Sequence, residues 1–145
     1  MAGGKSVLVP LRPPKASDAV PTWQLDFAEL EAAITPKTKL FLLNTPHNPT
    51  GRVFSKDELA IIAGILERHP HVICVCDEVY ENLVFSSKGH TRLASLPGMY
   101  DRVITVSSAG KTFSVTGWKV GWAIGAKHLI DPIMIGILKV FSISQ

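Results

Sequence analysis

Two lysines eight residues apart, Lys111 and Lys119, stand among small and hydroxylated residues in "SSAGKTFSVTGWKVGW" (107–122). An amine in such a stretch serves either as a nucleophile or base, or as a point charge for an anion. The fragment "GKT" raises a nucleotide-binding loop first, but that loop would need glycine at position 105, where Thr105 stands. No expected strand leads into a G-x-G-x-x-G turn, so the dinucleotide fingerprint is missing too. Upstream, "NTPHNPTG" (44–51) and "DEVYENLVF" (77–85) supply Asn48, Asp77 and Tyr80, and Ser108 lies just before Lys111. An amide, a carboxylate, a phenol and an amine gathered at one place are more than a structural sheet needs of its loops.

Residue groups this far apart in sequence need a scaffold that gathers them. "KLFLLN" (39–44), "HVICVC" (71–76) and "RVITVS" (102–107) are continuous apolar runs too short for helices, which is how buried parallel strands read. Between the first two, Ser55 with Glu58 three residues later makes a capping box, and "LAIIAGIL" carries the helix to Pro70. Strand, helix, strand is a parallel crossover unit, so the expected class is α/β. Asp26 caps an earlier helix whose apolar positions are Phe27, Leu30 and Ile34, and Pro36 stops it. "SVLVPL" (6–11) reads as a further strand. "WKVGWAIG" (118–125) reads as another, with Trp118, Val120 and Trp122 on one face as core or strand-face aromatics. "HLIDPIMIGILKV" reads as a last helix interrupted or started at Pro132. In parallel sheets ligands bind beyond the carboxyl ends of the strands, and the polar residues found there are Asn44 to Asn48, Asp77 to Tyr80 and Ser107 to Lys111.

Composition narrows the rest. A chain of 145 residues with 46% hydrophobic content is one domain in size, and its net charge of +3 comes from scattered residues, so nucleic acid is not implied. The two cysteines, Cys74 and Cys76, share one face of a strand and read as buried thiols, not as a metal site with His69 and His71. No apolar run reaches membrane-spanning length, and neither a signal nor a transit peptide is visible. Gly117 and Gly121 read as close-packing or turn positions, and His47 of the site loop equally well as a turn residue or a catalytic one.

Taken singly, Lys111 is a solvated loop charge, Asp77 a turn residue and Tyr80 an edge of the core. In order and in register, "NTPHNPTG", "DEVYENLVF" and "SSAGKTFSVTGWKVGW" resemble the pyridoxal-phosphate site of fold-type I aminotransferases of the class I/II group, with wording most similar to kynurenine aminotransferases, which are also cysteine-S-conjugate β-lyases. The resemblance implies a mixed, mostly parallel sheet with flanking helices, part of the large cofactor-binding domain. It implies that Lys111 bonds to the aldehyde of pyridoxal 5'-phosphate and then moves the substrate's Cα proton, with nearby cations and partial burial lowering its basicity. Asp77 would pair with the pyridine nitrogen, Asn48 and Tyr80 would donate to the phenolic oxygen, and Ser108 and Lys119 would anchor the phosphate.

The implied activity is transamination of an aromatic or sulfur-containing amino acid with a 2-oxo acid. Two alternatives stand beside it: a β-lyase on cysteine conjugates, and a catalytically silent fragment. Family members are about three times longer, so the chain is expected to be a partial large domain with a divergent tail from about residue 132. The segment that grips the phosphate upstream and the arginine that holds the substrate carboxylate downstream would lie outside it. A homodimer is the expected assembly of the full-length form, and a cytoplasmic or mitochondrial compartment the expected setting. Apolar faces left uncovered would make the isolated chain poorly soluble or dependent on a partner.

Overall fold

The computed structural model describes residues 3–16, 21–85, 87 and 89–143, with 138–143 described by backbone alone. Among them, four strands form one sheet in the order β1 (Leu40–Asn44), β2 (Ile73–Asp77), β3 (Val103–Ser108), β4 (Gly121–Ile124). The first three are parallel and β4 runs antiparallel to β3, which gives the expected mixed, mostly parallel sheet.

Helix α1 (Phe27–Ala33) starts where Asp26 accepts hydrogen bonds from the Ala28 and Glu29 amides, each 3.0 Å. It ends at Ile34, before Pro36. The crossover helix α2 (Lys56–Arg68) carries the capping box in full: Ser55 Oγ accepts from the Glu58 amide and Glu58 Oε2 from the Ser55 amide. Its apolar stripe of Leu59, Ile62, Ile65 and Leu66 is buried against Leu43, Cys74, Cys76 and Val103 of the sheet. That packing fixes the register in which the strand ends meet, Asn44 beside Asp77 and Asp77 beside Val106.

Alternation then sorts the β2 side chains. Cys74, Cys76 and Glu78 point into the helix-covered face and are fully buried, while Asp77 points to the other face. On that other face of the edge strand β1, Leu40 and Leu42 are exposed.

Several expectations need correction. Residues 6–11 form no strand: Val7 and Leu8 are exposed, while Val9 and Leu11 pack against the core ahead of the Arg12–Gln24 bridge. Apolar content without a neighbouring strand edge does not make a strand. The strand expected over 118–125 is shortened to Gly121–Ile124, because Lys119 adopts the left-handed conformation (φ 55°) at the end of a 3-10 turn, Thr116–Trp118. That turn breaks the alternation, and Trp118 is 74% exposed instead of sitting in the core. Gly117 lies in the same turn, with open space where a Cβ would go, so it is a turn position and not a packing one. Pro132 neither starts nor interrupts the last helix, α4 (Lys127–Ile143), which runs through it. Of the tail expected to diverge from about residue 132, residues 144–145 lie outside the described residues.

Candidate functional site

Asn44 organises the first strand end. Its Nδ2 donates to the Asp77 carbonyl (3.1 Å) and its Oδ1 accepts from the Asn48 amide (2.9 Å), which holds the loop after β1 against the end of β2. The loop closes on itself through His47 N to Arg52 O (2.7 Å), Gly51 N to His47 O (2.8 Å) and the Phe54 amide to the buried Thr45 hydroxyl (3.2 Å). His47, for which a turn role and a catalytic one are equally open in the sequence, spends Nδ1 on Thr50 Oγ1 at 2.8 Å within the loop. Arg52, its side chain 5% exposed, ties the loop to α2 through a short contact with Glu58 Oε1. Those bonds aim Asn48 outward, and its Nδ2 meets Tyr80 Oη at 3.2 Å.

The second strand end contributes Asp77 and Tyr80. Asp77 Oδ1 accepts from the Val79 amide (3.1 Å), which turns the chain sharply after β2. Glu81 N to Glu78 O (2.9 Å) and Leu83 N to Tyr80 O (2.8 Å) continue the turn and present the half-buried Tyr80 ring to the rim.

The third strand end enters a single helical turn, α3 (Ala109–Thr112), that carries Lys111. Lys111 Nζ stands 5.9 Å from the centre of the Tyr80 ring, within cation–π range. Asn48, Tyr80 and Lys111 are thereby brought together from three strand ends, with Asp77 on the same face of the sheet between them. Lys111 is exposed, so the partial burial expected of it is not supplied by the described residues.

Beside this group lies a cleft of about 320 Å³ lined by Ser108, Gly110, Lys111, Thr116, Lys119 and Gly121. Here the structure unites both lysines with two hydroxyls. Two glycines keep the cleft's walls close: a Cβ on Gly110 would come within 3.0 Å of Thr116 Cα, and one on Gly121 within 3.0 Å of the Ser107 carbonyl. Thr116 donates to the Gly110 carbonyl (3.1 Å) and so pins the turn from which Lys119 reaches back.

Asn44 and Thr116 are structural partners of the site that motif spacing did not single out. Asn44 stood inside the first polar cluster, and its position as the last residue of a strand was the signal available. Thr116 carried none, because its bond depends on the fold-back of 109–118.

The donor set suits pyridoxal phosphate. Hydroxyl and ammonium groups line the cleft and suit a dianion, Asp77 offers a carboxylate of the kind that would pair with a protonated ring nitrogen, and an amide and a phenol could serve an anionic oxygen. Among the described residues, no helix is long and apolar enough to cross a membrane.

Residues 1–144 match the family described as aminotransferase class I and II. The chain is 50% identical over 137 residues to kynurenine--oxoglutarate transaminase 1 of Rattus norvegicus, covering 92% of this chain and 32% of that one. It is 48% identical over 142 residues to kynurenine--oxoglutarate transaminase of Dictyostelium discoideum, covering 92% and 33%. Among solved structures, Bna3p of Saccharomyces cerevisiae superposes with a TM-score of 0.78 at 45% identity, over 85% of this chain and 30% of that one. N-succinyldiaminopimelate aminotransferase of Mycobacterium tuberculosis does so with a TM-score of 0.72 at 49% identity, over 75% and 28%. The chain spans about a third of the length of the curated relatives it matches. With a family model matching residues 1–144 and relatives at about half identity over 92% of its length, the chain belongs to the class I and II aminotransferases, a family that uses pyridoxal phosphate.

Proposed function

We propose that this chain carries the cofactor-binding centre of a kynurenine-type aminotransferase, which moves an amino group from an aromatic or sulfur-containing amino acid to a 2-oxo acid. The observation that carries the reading is the convergence of Asn48, Tyr80 and Lys111 beside a cleft holding Ser108 and Lys119. The kynurenine--oxoglutarate transaminases among its relatives, at about half identity, support the substrate class.

Pyridoxal phosphate, when bound, supplies an electron sink for the charge left on a substrate's Cα as its proton departs. The residues' own tasks follow from their chemistry. Ser108 and Lys119 hold the phosphate by a hydroxyl donor and a point charge. Asp77 keeps a proton on the ring nitrogen by placing a carboxylate beside it. Asn48 and Tyr80 would offer hydrogen bonds to the phenolic oxygen and so orient the ring. Lys111 would hold the aldehyde carbon, and its amine, when free, would take up and give back the substrate's Cα proton. The exposed Lys111 needs surrounding protein to exclude water from this transfer, so turnover is proposed for an assembly in which further polypeptide covers the rim.

Borohydride reduction after incubation with pyridoxal phosphate tests the centre. A stable pyridoxyl adduct on the peptide containing Lys111, absent from Lys111→Ala and weakened in Lys119→Ala, is the expected result. Labelling spread over several lysines and unchanged in Lys111→Ala would refute it.

A further inference from the structure

The residue after Asp77 is a buried acid that the chemistry above leaves unused. Glu78 is fully buried, and its Oε2 lies 3.1 Å from Nε2 of His90, whose side chain is 6% exposed. Arg92 Nε approaches the same oxygen at 3.6 Å and donates to Glu81 Oε2 at 3.0 Å, with a second, shorter bond from Nη2. The Glu78–His90 contact is close but off hydrogen-bond alignment, so polar atoms of both groups are buried without a hydrogen bond among the described residues. Burying such groups costs stability, and an apolar pair at this place would not. The segment they bracket, residues 78–83, is the turn that carries Tyr80 and begins at Asp77.

We infer that Glu78, His90 and Arg92 form a clamp that positions Tyr80 and Asp77 for the cofactor. Glu78 grips the turn from the helix-covered side, where the neighbouring Glu78 amide also donates to the Val106 carbonyl at 2.9 Å. Arg92 grips it from outside through Glu81 and stands just before the 3-10 turn Leu93–Ser95, whose Leu93 is fully buried. The turn is thus held at two points to different parts of the core, and its freedom to swing Tyr80 away from Asn48 is removed. These are positioning residues: they touch Tyr80's backbone surroundings, not the cofactor. The inference rests on the proposed pyridoxal-phosphate centre for its functional half.

The test uses Glu78→Gln, Arg92→Lys and Tyr80→Phe, singly and combined. Pyridoxal-phosphate affinity and the absorption spectrum of the bound form are measured together with amide exchange in the cofactor-free chain. Glu78→Gln should weaken binding about tenfold and shift the absorption maximum as Tyr80→Phe does, and its effect should vanish in the Tyr80→Phe background, because coupled residues are not additive. Additive losses would overturn the clamp and leave only general damage. Arg92→Lys keeps a charge at a half-exposed position, so it tests the clamp should Glu78→Gln fail to fold; it should speed exchange of the Glu81 and Leu83 amides about tenfold. Unchanged exchange there overturns the inference. A wild-type chain that binds no pyridoxal phosphate sinks the proposed centre, and the exchange arm then decides the clamp separately.

Discussion

Glu58→Ala should be the most informative single change in the scaffold beneath the site. Glu58 does two things at once: Oε2 completes the capping box by accepting from the Ser55 amide (2.9 Å), and Oε1 pairs with Arg52, which holds the loop that aims Asn48. Loss of the cap costs about 1 kcal/mol. Stranding a buried guanidinium costs about 3–5 kcal/mol in a dry site, and about 2 here, since Glu58 itself is 24% exposed. The sum of about 3 kcal/mol corresponds to a fall of roughly 6–12 °C in Tm for a domain of this size. The carboxyl also titrates informatively. Burial alone would raise its pKa, but the Ser55 amide and the Arg52 guanidinium outweigh that and hold it below the usual 4.5. A depressed folded pKa means the contribution is whole above the unfolded value and disappears as pH falls through the folded one. Wild-type stability should therefore drop below about pH 4.5 by more than that of Glu58→Gln, which has no charge to lose. Urea titrations read by pulse proteolysis at low protein concentration measure both effects. A loss under about 1 kcal/mol, or parallel pH profiles for wild type and Glu58→Gln, would refute the reasoning.

Three further outcomes follow. Gly121→Ala forces a Cβ to within 3.0 Å of the Ser107 carbonyl and should cost about 1–3 kcal/mol while displacing the cleft wall; unchanged stability and pyridoxal-phosphate affinity would show that the close approach is not needed. Cys74 and Cys76 are fully buried, and burial first, with Glu78 nearby, pushes both thiols upward. Alkylation at pH 8 should thus be at least about a hundredfold slower in the folded chain than in urea, and equal rates would mean that β2 is not packed as described. Leu40 and Leu42 on the edge strand, with Phe113, Trp118 and Val120 near the site, are exposed. Sedimentation velocity should show concentration-dependent self-association that Leu42→Lys reduces, and a concentration-independent monomer would contradict this.

Much of the architecture was legible because local signals agreed with one another. The Ser55–Glu58 box and the Asp26 cap are short-range hydrogen-bonding patterns, and three apolar runs with one amphipathic helix between the first two leave few arrangements beyond a parallel crossover. Asn48, Asp77, Tyr80 and Lys111 could be gathered in advance, since ligand groups collect at the ends of parallel strands, whereas the anchoring roles of Ser108 and Lys119 came from the family resemblance.

What remained hidden depends on contacts between distant residues. Whether residues 6–11 pair as a strand depends on a free sheet edge in reach, and no stretch of sequence records that. Trp118 looked like a core aromatic until the left-handed Lys119 broke the alternation, a backbone choice set by how Thr116 closes onto Gly110. The exposure of Lys111, its approach to Tyr80, and the burial of Glu78 against His90, twelve residues further along the chain, are likewise products of packing. The sequence by itself determined which chemical groups reach the rim of the sheet, because strand ends are local. Only the tertiary structure decided which of them meet, because distances between separate strand ends are set by register and helix packing.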